Sequence, residues 1–261
     1  YRTGDQEYFL VVNASNIEKD MEWLNKHNRF ECNITDISDG IALLAVQGPK
    51  ATDTLQKLTK TELGSIKYYH FVKDTFAGVE DVIISATGYT GSGGFEIYCT
   101  ADRAMEVWDK IFAAGQEYGI KPAGLGCRDT LRMEMGFCLY GHDINDYTSP
   151  LEAGLGWVTK FNKDFIAKEI LENQKEKGLK RKLVGLDFSD KIIPRQHFEI
   201  VDDNDRVIGE VTSGTMAPSL QRPIAMGYVE REFAKEGTKV KVKIRNKVSD
   251  ARIVKFPFYK N

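Results

Sequence analysis

The sequence predicts an α+β fold that ends in a small all-β domain. Three observations carry this expectation. Strand and helix patterns are mixed through residues 1–179 without the regular βαβ alternation of a doubly wound sheet. A glycine-rich stretch at residues 88–94 (G-Y-T-G-S-G-G) lies between two strand patterns, not ahead of a helix. From about Lys180 onward, short strand patterns separated by turn residues replace the mixture.

In chain order, residues 3–6 read as a turn into a strand at 7–12. Ser15 and Glu18 then form an S-x-x-E capping box, and the helix after it (16–27) puts Ile17, Met21 and Leu24 on one face. Strands are predicted at 30–36 and 41–47. Gly48-Pro49 opens a helix with Ala51, Leu55 and Leu58 inward. A strand at 68–74 leads to the glycine-rich hairpin. The amphipathic helix 101–118, carrying Met105, Trp108, Ile111 and Phe112, stops at Gly119. Helical spacing returns at 125–135, where Arg128 shares its face with Leu125, Leu131, Arg132 and Met135; an arginine buried there must be paired. A loop and short helix cover 142–157, and another helix 167–177. The C-terminal domain, 180–261, holds strands at 183–189, 197–201, 207–213, 224–230 and 238–256, with strict alternation in Val240-Lys-Val-Lys-Ile244.

Glycine-rich loops suggest phosphate, but a phosphate cradle needs a helix N-terminus after the loop. Here the strand 81–86 (D-V-I-I-S-A) precedes the loop and F-E-I-Y-C (95–99) follows it. Phe95, Ile97 and Cys99 take one face of that second strand, and Glu96 and Tyr98 the other. The chemistry on offer is therefore a carboxylate on a rigid strand. A carboxylate only accepts hydrogen bonds and suits a ligand with paired N–H donors; the alternative is an edge-strand glutamate in solvent.

Composition excludes several function classes. With 42% hydrophobic and 28% charged residues the chain reads as an ordinary globular protein, and a net charge of −2 offers no footprint for nucleic acid or an anionic membrane. No apolar run approaches the ~20 residues of a membrane span. Cys32, Cys99, Cys127 and Cys138 form no C-x-x-C pair, which points to reduced thiols and a cytoplasmic protein. His27, His70, His142 and His197 show no ligand spacing, so no metal is expected.

Several segments, in order, resemble the T-protein family of the glycine cleavage system. They are A-V-Q-G-P (45–49), G-Y-T-G (88–91) with G-F-E-I (94–97), and G-L-G-C-R-D-T-L-R (124–132). L-Y-G (139–141), S-P-L-E (149–152) through Trp157, V-T-S-G-T (211–215) and P-F-Y (257–259) complete the set. Each is weak alone; the ordered set over essentially the whole chain is specific. The resemblance implies a folate-binding region with ferredoxin-like elements, a C-terminal β-barrel, and tetrahydrofolate as cosubstrate. It also implies a lipoylated H-protein as carrier, working with the other glycine cleavage components. The reaction implied releases ammonia and forms 5,10-methylenetetrahydrofolate.

By the same resemblance Glu96 matches the pterin-binding glutamate and Arg128 a folate-contacting arginine. Tyr89 and Asn13 match folate-pocket positions, with a loop-tip aromatic and a helix-entry residue as the plain alternatives. Arg195 matches a basic contribution from the C-terminal domain, or is a solvated loop arginine. Phe137, Tyr140 and Trp157 fit core and pocket wall equally, and Tyr259 and Lys260 resemble a C-terminal pocket edge.

The departure is at the front, where the chain opens on Tyr1. The family's acidic D-D-L-type segment, with its catalytic Asp, is expected before the residues matching Tyr1-Arg2, so no catalytic residue is assigned and Asp5 is no substitute. A chain without that segment is expected to turn over poorly. Two rivals share the fold. One is an iron–sulfur assembly paralogue, whose K-G-C-Y-x-G-Q-E signature is replaced here by Y-G-H-D at 140–143. The other is the folate domain of a sarcosine- or dimethylglycine-oxidising enzyme, for which no dinucleotide fingerprint is present.

Overall fold

The computed structural model describes residues 1–245 and 247–260. Packing divides the chain into two units, Tyr1–Pro122 and Ala123–Asn261.

The first unit is built on a four-stranded antiparallel sheet. Its strands are β1 (Ile41–Gln47), β2 (Phe71–Phe76), β3 (Val79–Ser85) and β4 (Gly94–Thr100), in the order β1-β4-β3-β2. Helices α2 (Ala51–Gln56) and α3 (Ala104–Gly115) bury Leu55, Val107 and Ile111 against Val46, Ile84, Phe95, Ile97 and Cys99. The period-2 alternation of F-E-I-Y-C thus sends Phe95, Ile97 and Cys99 to the helix side, and Glu96 and Tyr98 to the opposite face. Tyr98 is buried there by the N-terminal segment: the rings of Tyr1 and Phe9 meet it edge-on, with centroids 5.7 and 5.5 Å away.

Several local expectations fail in whole or in part. Residues 7–12 form no strand. The predicted turn at 3–6 does form, with Tyr8 bridging Arg2 and Phe9 exchanging backbone hydrogen bonds with Tyr1 (2.7 and 2.8 Å), but the ladder stops there and Leu10 is 64% exposed. The Ser15–Glu18 capping box does not form: Ala14–Asn16 is a 3₁₀ turn, and α1 (Ile17–His27) begins after it without a side-chain cap. Ile17, Met21 and Leu24 do share its half-buried face. Residues 30–36 are irregular because the Asn28 side chain donates to the Cys32 carbonyl (2.7 Å) and accepts from its N–H (2.9 Å), bonds a strand ladder would need. On α3, Met105 and Trp108 point outward; Val107 and Ile111 form the inward stripe.

The second unit contains α4 (Leu125–Glu134), α5 (Lys168–Lys177) and a closed antiparallel barrel. The barrel order is β10-β5-β8-β7-β6-β9. Its strands are β5 (Arg181–Phe188), β6 (Glu199–Val201), β7 (Val207–Ala217), β8 (Arg222–Glu230), β9 (Lys239–Ile244) and β10 (Lys247–Val254). Closure leaves no sheet edge unpaired, and the alternation in β9 buries Val240, Val242 and Ile244 while the lysines face out. The region predicted as one strand, 238–256, is the hairpin β9–β10. The predicted short helix within 142–157 is a set of turns. Its first turn carries the reciprocal capping-box bonds that Ser15 lacks: Ser149 N–H donates to Glu152 Oε2 and Glu152 N–H to Ser149 Oγ, both 3.1 Å.

Candidate functional site

The hairpin β3–β4 places Glu96 between Ala45 of β1 and Ser85 of β3. Its carboxylate is half-buried, and Oε2 accepts a 2.5 Å hydrogen bond from Thr87 Oγ1, in the loop 86–93. This hydrogen bond sets the direction of the side chain. Thr87 Oγ1 lies 3.3 Å from the Tyr1 hydroxyl, which lies 3.1 Å from the Tyr98 hydroxyl. Burial, then the hydrogen bond with Tyr1 and the negative charge of Glu96, push the Tyr98 phenol far above its usual range, so it stays protonated. Tyr68 is pushed up to about 12, first by burial and then by Tyr69 and Glu96. The Tyr68 and Tyr69 rings lie 4.1 Å apart, and Tyr69 holds a φ of 64°, unusual for a bulky residue. Tyr69 N–H donates to the Ala86 carbonyl at the root of the loop (3.0 Å). Glu96 therefore sits among phenols, a surrounding that suits a flat, hydrogen-bonding ring.

Tyr89 lies half-buried in the same loop, seven positions before Glu96 in sequence. Asn13 is exposed at the entry to the 3₁₀ turn, where its carbonyl accepts from Asn16 N–H (2.8 Å) and its side chain makes no cap bond.

Arg128 and Arg195 belong to the second unit. Arg128 is exposed on α4, which corrects the expectation that it is the buried arginine. That residue is Arg132, one turn further on and 1% exposed. Its guanidinium donates to Asp143 Oδ2 (2.6 Å), Ser213 Oγ (3.0 Å), the Phe137 carbonyl (3.1 Å) and Asp129 Oδ1 (2.8 Å). Asp143, fully buried, also accepts from Thr212 Oγ1 (2.5 Å), Ser213 Oγ (3.0 Å) and Leu139 N–H (2.9 Å). This cluster bonds α4 to β7 and to the 137–143 loop. Sequence reasoning missed it, although both residues lay in quoted motifs. Arg195 is exposed, in a turn where its carbonyl accepts from Phe198 N–H (3.3 Å).

Phe137 and Tyr140 are half-buried, whereas Trp157 is 60% exposed and is not core. The Phe258 and Tyr259 amides both donate to the Glu134 carbonyl (2.8 and 3.0 Å), fastening the C-terminal segment to the end of α4; the Lys260 side chain is exposed. Among the described residues no group of three or more His, Cys, Asp or Glu side chains could hold a metal, and no helix is long and apolar enough to cross a membrane.

An α+β unit presenting a phenol-flanked carboxylate, followed by a six-stranded closed antiparallel barrel, defines the class of protein. Comparison with known proteins makes it particular. The model of the GCVT N-terminal domain matches residues 1–163, and that of the glycine cleavage T-protein C-terminal barrel domain residues 181–260. An aminomethyltransferase of Flavobacterium psychrophilum is 53% identical over 260 residues, covering 100% of this chain and 72% of the relative. One of Porphyromonas gingivalis is 55% identical over 263 residues, covering 100% and 73%. The crystal structure of glycine cleavage system aminomethyltransferase T from Bartonella henselae superposes with a TM-score of 0.85 at 31% identity, covering 95% of this chain and 67% of that one. The chain belongs to the glycine cleavage T-protein family, whose members are folate-dependent aminomethyltransferases.

Proposed function

We propose that Glu96 anchors the pterin ring of tetrahydrofolate, the acceptor of the one-carbon unit. The observation that carries this is the half-buried carboxylate, oriented by Thr87 at 2.5 Å on a rigid strand. The N3–H and 2-amino group of a pterin form a donor pair that a carboxylate can accept in parallel. Arg128 and Arg195 are proposed as cationic contacts to the folate and Tyr89 and Asn13 as pocket residues, on the strength of their match to family positions and their accessibility. The methylene comes, in this reading, from an aminomethyl group on a lipoylated H-protein, acting with the other glycine cleavage components. The products are 5,10-methylenetetrahydrofolate and ammonia. Positioning supplies most of the acceleration and proton transfer the rest. We also place the functional boundary at residue 180, just ahead of β5, and the protein in the cytoplasm, where its four cysteines, unbridged, would persist as thiols.

Calorimetric titration with tetrahydrofolate tests the reading. Glu96→Ala is expected to weaken binding by about 2 kcal/mol, the worth of charged hydrogen bonds lost from a partly buried site. Unchanged affinity would reject the role of Glu96.

A further inference from the structure

The loop 86–93 orients Glu96 through Thr87, and something must orient the loop. Gln47, the last residue of β1, does so. Its side-chain Nε2 donates to the Thr87 carbonyl (3.1 Å) on one leg of the loop and to the Phe95 carbonyl (3.2 Å) on the other. A third carbonyl, that of Val46, lies 3.4 Å away. Its Oε1 accepts from Thr90 Oγ1 (2.9 Å) at the tip. One half-buried amide therefore ties both legs and the tip together. Gly88 has the complementary feature: a Cβ there would lie 1.9 Å from Gln47 Oε1 and 2.5 Å from Cδ. The Gly88 backbone is not in the left-handed region, so a side chain there would meet no backbone strain but would have to displace the Gln47 amide.

We propose that Gln47 is the positioning residue of the Glu96 site, holding Thr87 on the carboxylate and Tyr89 in place. This rests on the folate reading above. Gln47 touches no reacting atom and acts through the loop.

The test uses Gln47→Met, which keeps the volume and removes the amide's hydrogen bonds. Tetrahydrofolate affinity is expected to fall about tenfold, the worth of one to two net hydrogen bonds. Amide exchange at 87–93 is expected to quicken by a factor of about ten or more, while the ladder amides of Ile84 and Ile97 keep wild-type protection. A wild-type affinity, or a loop as protected as before, overturns the proposal.

A second pair of variants guards against misfolding. Gly88→Ala alone is expected to lose affinity, and in a Gln47→Ala background to cost nothing further, because its methyl group enters vacated space. Equal losses in both backgrounds overturn the proposal. Glu96→Gln, measured alongside, separates the two failures. If that variant binds like wild type, the folate reading has failed; if it loses affinity while Gln47→Met does not, only the positioning role has failed.

Discussion

Two charged side chains, one in each unit, differ in how completely the fold encloses them. Arg132 is 1% exposed, and its partner Asp143 accepts from Arg132, Thr212, Ser213 and the Leu139 amide. A buried ion pair wrapped in hydrogen bonds has nothing left for a ligand. Glu96 is held by Thr87 yet remains half-buried, on the sheet face away from the helices. The first arrangement fastens a helix to a barrel. The second aims a carboxylate.

The sharpest way to break this contrast is to remove each acid. Asp143→Ala is expected to cost about 3–5 kcal/mol of stability by leaving Arg132 buried and uncompensated, read by chemical denaturation. Loss below about 1 kcal/mol would show that water reaches the cluster. Glu96→Ala is expected to change stability by no more than about 1 kcal/mol while weakening folate binding. A large loss of stability there would erase the distinction between the two sites.

The phenols beside each acid give a smaller, pH-dependent test. Tyr98 near Glu96 and Tyr228, which donates to the Asp143 carbonyl (2.9 Å), both have pKa values raised from 10.0, chiefly by burial. A folded-state pKa above the unfolded one favours the protonated, folded form. The stability each tyrosine contributes is therefore complete below pH 10 and is lost as pH rises above it. Replacing either by Phe should flatten the alkaline limb of a stability-against-pH curve, and an unaltered limb would remove that residue from the account. The smallest effect expected is chemical. Cys138 is pushed up to about 12 by burial, then by Asp143, whereas Cys32 and Cys127 are exposed. At pH 8 a thiol reagent should modify Cys32 and Cys127 quickly and leave Cys138 untouched in the native protein. Rapid labelling of Cys138 would contradict the closed packing around Arg132 and Asp143.

What was legible in the sequence follows from how local each signal is. The alternation in F-E-I-Y-C placed Glu96 and Tyr98 on one face because a strand's period of two needs no knowledge of its neighbours. The barrel strands were readable for the same reason. Residues 7–12 carried the same kind of apolar signal, and 7–9 do pair back onto 1–3, but 10–12 extend no ladder, because a strand exists only with a partner and pairing is not written locally. Arg128 and Arg132 stand at i and i+4, so spacing puts both on one helix face and cannot say which is buried. The decision lies with Asp143 and Ser213, contributed by a following loop and by β7. The capping-box pattern behaved alike: Ser149 and Glu152 satisfy it within a turn, while Ser15 and Glu18 match the pattern and form no cap. Gln47 appeared only as part of a family motif, because its role depends on a loop forty positions away closing over it.

The most direct test of the central claim is a tetrahydrofolate titration of the Glu96→Gln variant beside wild type. The exchange preserves shape and the Thr87 contact but removes the charge and one of the two acceptor oxygens. The account predicts a loss of affinity of about tenfold or more with an unchanged melting temperature. Equal affinities would contradict it.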